Sequence, residues 1–196
     1  MKKIHIPIVG GGPSPAPPPY GGLGEQRWLH GETFLEVVEA AGRARAQLDG
    51  AFAAVDVSAE LRDFFVSYPR KVSVLVLGDL ERVDTLVNVA QAERLFSLGK
   101  NIWMRVFPAR DNPDLVEVFA GPEGELPLFV FFGDDRREFA RWGPRPRALQ
   151  DVEEESRPHT EDAGLEARRR TWYAANRGRD LAAELEALLS PRLGGY

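Results

Sequence analysis

The sequence predicts an α/β fold: a mixed central sheet flanked by helices, with additional N- and C-terminal helices. Two observations set the sheet. Val72–Leu77 and Ile102–Phe107 are apolar, β-branched runs of strand length, and the helical stripe between them makes a βαβ unit. Residues 126–132 and Glu138–Trp142 then read as a hairpin turned at Gly133-Asp134-Asp135. A third observation sets the helices, because capped apolar stripes lie on both sides of this block.

The elements follow in order. Residues 1–24 form a Pro/Gly-rich N-terminal arm, since Gly10-Gly11-Gly12, Pro13, Pro15 and Pro17-Pro18-Pro19 leave no room for a helix. The bland reading of an arm is favoured over a proline ligand for an aromatic groove. Ile4, Ile6 and Ile8 alternate, which suits an edge strand that tolerates Pro7. Residues 25–196 are expected to form one domain with helical extensions and a core at about 70–150. Thr33 with Glu36 is a capping-box signature, followed by Phe34, Leu35, Val37, Val38 and Ala41. Ser58 caps a second helix through Leu61, Phe64 and Phe65 that stops before Pro69. After the first strand, Leu86, Val89, Ala90, Leu95 and Leu98 mark a helix ending at Gly99. Asn112 is expected to cap a short helix with Pro113 at its first position. Beyond the hairpin Pro146 opens a helix, the mixed-charge stretch 151–170 reads as a solvated face, and helices follow around 165–175 and from Asp180 to Leu189.

Composition narrows the chemistry. The 196 residues contain no cysteine, which excludes disulfides, thiol catalysis and thiolate metal sites together. A net charge of -5 argues against general nucleic-acid binding, which needs a basic surface. The arginines 168–170 read as a solvated helix face, and the four tryptophans as core residues. No run approaches a membrane span, and the apolar stretch after Met1-Lys2-Lys3 is broken by His5 and Pro7, so a cytoplasmic protein is expected. His5, His30 and His159 lack metal-ligand spacing. Ser14 lacks the context of a nucleophile elbow, and Gly99-Lys100 lacks that of a phosphate loop. No catalytic residue, metal or cofactor is assigned.

Several short motifs add a resemblance. Thr33-Phe34-Leu35-Glu36-Val37-Val38, Leu75-Val76-Leu77, Glu125-Leu126-Pro127, Trp142-Gly143-Pro144-Arg145-Pro146, and Trp172-Tyr173 with Gly178-Arg179 together resemble a bacterial thioredoxin-like family. The match spans about residues 30 to 190, with the Trp-Gly-Pro-Arg-Pro run its most specific part. That family carries W-C-x-D-C after its L-V-L strand. Aligned without gaps, its cysteines fall on Arg82 and Thr85 and its tryptophan on Glu81, and only its aspartate survives, as Asp84. Thioredoxin chemistry needs a thiolate at a helix N-terminus and a second thiol to resolve the mixed disulfide. Arginine and threonine supply neither.

The resemblance therefore implies a redox-inactive protein that keeps the binding half of the site. It implies a cis Leu126-Pro127 bond, beside which an extended segment pairs with the backbone; the equal alternative is that Pro127 only shapes a tight turn, with no ligand. The expected edge comprises Arg82, Thr85, Leu126 and Pro127, for an unidentified protein or small ligand. Asp79, Glu81, Arg82 and Asp84 crowd the first βα loop at the sheet's carboxyl edge, where α/β folds place ligands. The alternative is an enzyme using the polar residues of that 79–85 loop without thiols, and the bland reading is that these acids cap and charge the next helix.

Overall fold

The computed structural model describes residues 23–156 and 162–193. The arm, the alternating isoleucines, His5 and His159 lie outside those residues, apart from the arm's last two positions, Leu23 and Gly24.

The sheet has four strands in the order β2-β1-β3-β4: β1 (Val72–Leu77), β2 (Ile102–Phe107), β3 (Leu128–Phe132) and β4 (Glu138–Trp142). β1 runs parallel to β2 from Val72↔Ile102 to Leu77↔Phe107 and antiparallel to β3, and β3 pairs antiparallel with β4. This central position explains why β1 is apolar on both faces. Val74 and Val76 point to one side, with Met104, Val106, Phe129 and Phe131. Leu75 and Leu77 point to the other, with Phe107, Val130 and Phe132.

The helices fill both sides. On the first lie α2 (Phe34–Ala40), α3 (Arg45–Ala53), α4 (Ala59–Ser67), α5 (Val83–Phe96) and α9 (Arg179–Leu189). The second face is covered by α1 (Glu25–Leu29) through Trp28, and by the α6 turn (Pro113–Leu115) with the wider turn Val116–Ala120 through Leu115 and Phe119. α7 (Arg147–Ser156) and α8 (Asp162–Asn176) pack beside α5 through Leu149, Tyr173 and Val83.

The caps are local chemistry. Thr33 accepts the Glu36 amide while the Glu36 carboxylate accepts the Thr33 amide, completing a capping box, and Ser58 accepts the Leu61 amide.

Other expectations need correction. β3 begins at Leu128 rather than residue 126, because Pro127 has no N–H for the ladder. The hairpin turn extends through Arg136, which sits at φ 60 and donates its amide to the Gly133 carbonyl. Asn112 does not cap with its side chain: its amide nitrogen donates to the Pro108 carbonyl, 2.8 Å, and its oxygen accepts Arg27, 2.7 Å. Neither α1 nor α3 was anticipated, since the first is a single turn and the second has a weak apolar stripe around Leu48. Trp103 is 48% exposed rather than core. The stretch 151–170 is not uniformly solvated either, because Glu153 is buried and Arg169 is turned inward.

Candidate functional site

The first βα loop leaves β1 at Gly78 and enters α5 at Arg82. Arg82 is the N-cap residue, exposed and in extended backbone, with no capping bond from its side chain. Thr85, three positions on, is fully buried. Gly78 brings Thr85 and Pro127 together. A Cβ at Gly78 would lie 2.8 Å from the Thr85 side chain and 3.2 Å from Pro127 Cβ, so any larger residue would push them apart. Thr85 Oγ1 is buried without a partner among the described residues.

Pro127 is buried and Leu126 half-buried. The Leu126-Pro127 and Gly143-Pro144 bonds are both cis. Gly143, at φ 134, lies directly over the Pro127 carbonyl, where a Cβ would approach its oxygen to 2.2 Å. That close approach needs glycine and places the Trp-Gly-Pro-Arg-Pro run against the start of β3. The Leu126 N–H and C=O have no hydrogen-bond partner among the described residues.

The loop acids turn elsewhere. Asp79 Oδ1 accepts the Arg110 amide, 3.2 Å, and Glu81 pairs with the Arg110 guanidinium, 2.7 Å. The Glu81 charge foremost, with Asp111, raises the pKa of Arg110 above its ordinary value. These residues line a cleft of about 320 Å³ at the carboxyl ends of β1 and β2, with Glu32 on its wall. Burial, then the neighbouring charges of Glu36 and Asp111, holds the Glu32 carboxyl above the usual range.

Asp84 faces away from both places. It is 1% exposed and its Oδ2 accepts Nε and Nη2 of Arg145, at 3.0 and 2.7 Å. Its Oδ1 accepts the Tyr173 hydroxyl at 2.8 Å, and Arg169 Nη1 lies 3.2 Å from Oδ2. Glu153 closes the cluster, 3.1 Å from Arg145 Nη1 and hydrogen-bonded to Arg169 Nη2 at 2.9 Å. Two carboxylates thus face two guanidiniums out of water. Asn88 donates to the Tyr173 oxygen and to the Pro144 carbonyl, both at 3.1 Å. Burial, followed by the adjacent Asp84 charge, pushes the Tyr173 phenol far above its ordinary pKa, so it stays a donor.

The seven expected residues therefore fall in three places. Thr85 and Pro127 meet, with Arg82 on the α5 terminus and Leu126 before the proline. Asp79 and Glu81 belong to the polar cleft with Arg110, and Asp84 to the buried cluster. Sequence reasoning missed Arg145, Glu153, Arg169 and Tyr173 as partners of Asp84. A signal existed: the one surviving residue of the redox motif is charged, and the other retained motifs carry an arginine and a tyrosine.

Among the described residues there is no group of three or more His, Asp or Glu arranged to hold a metal ion, and no helix long and apolar enough to cross a membrane. Similarity to known proteins agrees with the geometry. A protein of unknown function from Pseudomonas aeruginosa, solved at 1.5 Å, superposes with a TM-score of 0.64 at 19% identity, over 84% of this chain and 95% of the other. An HIV epitope-scaffold superposes with a TM-score of 0.62 at 20% identity, over 84% and 95%. These likenesses are in fold. No match was found among the curated proteins. The family described as Thioredoxin matches residues 31–157. With that match over most of the chain, the β1–α5–β2 unit leading to a hairpin that opens after Pro127, and no cysteine anywhere, the chain belongs to the thioredoxin family and lacks both of its redox thiols.

Proposed function

We propose that this chain is a binding module that takes an extended polypeptide segment at the edge formed by Arg82 and Leu126, over a floor of Thr85 and Pro127. The observation that carries this reading is the open main chain at Leu126, whose N–H and C=O have no partner among the described residues. An extended ligand pairs with such groups as an added strand would. The first-turn amides of α5 and the exposed Arg82 guanidinium add donors and positive charge beside it. Selection of linear peptides from a displayed library against the full chain tests the reading. Selected peptides are expected to lose at least about tenfold in affinity, roughly 1.4 kcal/mol, on Leu126→Pro, which removes the amide donor, or on Arg82→Glu. Failure to select any peptide, or peptides indifferent to both substitutions, overturns it.

A second reading, a non-thiol enzyme or small-ligand site, rests on the cleft holding Asp79, Glu81, Arg110 and the raised carboxyl of Glu32. A panel of small polar molecules should then raise the melting temperature of the parent protein, and Glu81→Gln should remove the effect. Stabilisation unchanged by Glu81→Gln would place the ligand outside this cleft.

A further inference from the structure

A second opening runs along the outer edge of β2 and shares no residue with the Leu126 edge. This cleft of about 660 Å³ lies between β2, the start of α2, α3 and the end of α5. Its walls are largely apolar, with Phe34 and Phe52 stacked at 5.6 Å between ring centroids. Leu35, 66% exposed, and Trp103, 48% exposed, both line it. Two large apolar side chains in one concavity mark a surface that something covers.

The main chain is open at the same place. The odd-numbered residues of β2 turn their polar groups to β1, as the Val72 amide bonds the Asn101 carbonyl at 2.8 Å and the Gly78 amide that of Phe107 at 3.3 Å. The even-numbered ones consequently face outward. Val106 spends both groups on Glu32, at 2.8 Å each. Those of Ile102 and Met104 have no partner among the described residues. An edge left in this state is a template for another strand.

Glu93 adds a charge. It lines the same cleft from α5, on the face to which Ile102 and Met104 turn their side chains. Among the described residues no cation answers it. Arg105 Nη1 donates to the Gly31 carbonyl at 2.7 Å, Arg94 lies 5.5 Å from the centroid of the Phe52 ring, and Lys100 is exposed. The other acid of the cleft, Asp49, has Arg45 at 3.8 Å. Burial with no opposing charge accordingly raises the Glu93 carboxyl to about 7. A carboxylate kept unpaired against apolar walls costs stability until a cation meets it.

We infer that this edge takes an extended segment of another polypeptide, added to β2 as a strand, with a lysine or arginine between two apolar residues on the face toward Glu93. Pairing in either direction sends alternate side chains to opposite faces of the sheet. One set meets Phe34, Phe52 and Glu93, where the basic side chain pairs with the carboxylate, and the other set meets Trp103. The segment's main chain then satisfies Ile102 and Met104.

The acetylated and amidated heptapeptide Thr-Val-Tyr-Lys-Tyr-Val-Thr has this pattern and serves as the probe. Titrated calorimetrically into the full chain at about pH 8, it should bind, and Glu93→Gln or norleucine in place of the peptide lysine should each cost at least about tenfold in affinity. Because the lysine meets ionised Glu93, affinity for the parent should rise between about pH 5.5 and about pH 8, and that for Glu93→Gln should not. Arg82→Glu should leave affinity unchanged, and a loss there as large as that of Glu93→Gln overturns the inference by placing the peptide at the Leu126 edge. Saturating peptide should slow exchange of the Ile102 and Met104 amides at least about tenfold. An absence of binding, or binding indifferent to Glu93→Gln, sinks the inference. So does butylammonium ion that displaces the peptide at equal concentration, which would leave a site for small amines. Ile102 and Met104 amides already protected without peptide overturn it too, assigning the edge to another segment of this chain or, where protection rises with protein concentration, to a second copy.

Discussion

At the residue scale, the chain's least expected feature is the charge cluster around Asp84. Arg145 is 5% exposed and holds Asp84 by two hydrogen bonds, so truncating it strands a carboxylate inside the protein. Arg145→Met should therefore destabilise by about 3 kcal/mol, the lower end of the range for breaking a buried pair, because Arg169 remains 3.2 Å from Asp84. Urea denaturation checks this, and Asp84→Ala should cost less in the Arg145→Met background than alone. Arg145→Lys should recover only part of the loss, since a point charge cannot reproduce the two-pronged contact. Glu93 offers a pH-dependent case. Burial pushes its carboxyl from 4.5 up to about 7. The folded state thus binds a proton that the unfolded state has released between those values, and stability contributed by neutral Glu93 is lost as pH rises through that window. Glu93→Gln should be nearly neutral at pH 4.5 and stabilising by about 2 kcal/mol above pH 7, read from melting curves at both ends.

At the scale of elements, α5 follows the first βα loop, the place where the resemblance puts the family's redox motif. Arg82 is exposed at the N-cap and Thr85 is buried on the first turn, the two positions where the ungapped motif match is expected to put the family's thiols. The double variant R82C/T85C should form an intramolecular disulfide under oxidising conditions, detected by mass spectrometry as the loss of two hydrogens. The Arg82→Cys thiol, at a helix N-terminus, should react with iodoacetamide below the ordinary thiol pKa near 8.5. A double variant that never closes the bond would mean that Arg82 and Thr85 do not occupy the thiol positions.

At the scale of the whole molecule, the thioredoxin scaffold is complete and its electron-transfer function is absent. The full chain should show no dithiol-dependent reduction of insulin, because no side chain can form the mixed disulfide. The oxidised and re-reduced R82C/T85C protein tests the scaffold separately from the chemistry. What the sequence determined by itself was largely what local chemistry dictates. The strand β1 announces its two-sided burial in Val72–Leu77, and Thr33 with Glu36 announces the start of α2. Missing cysteines close off thiol chemistry whatever the fold. Short elements such as α1 and the true start of β3 were not legible, since one turn of helix has no period and a proline's effect on a ladder depends on its neighbours. The fates of the charged residues were decided only in three dimensions. Asp84, Arg145, Glu153, Arg169 and Tyr173 come from four separate stretches and look like surface residues in the chain, yet packing α5, α7 and α8 together removes them from water and obliges them to pair. Asp79 and Glu81 sit within a few positions of Asp84 and turn instead to Arg110, because they lie in the loop before α5, beside the turn that carries Arg110, whereas Asp84 is on the first turn of α5 and is buried against α7 and α8.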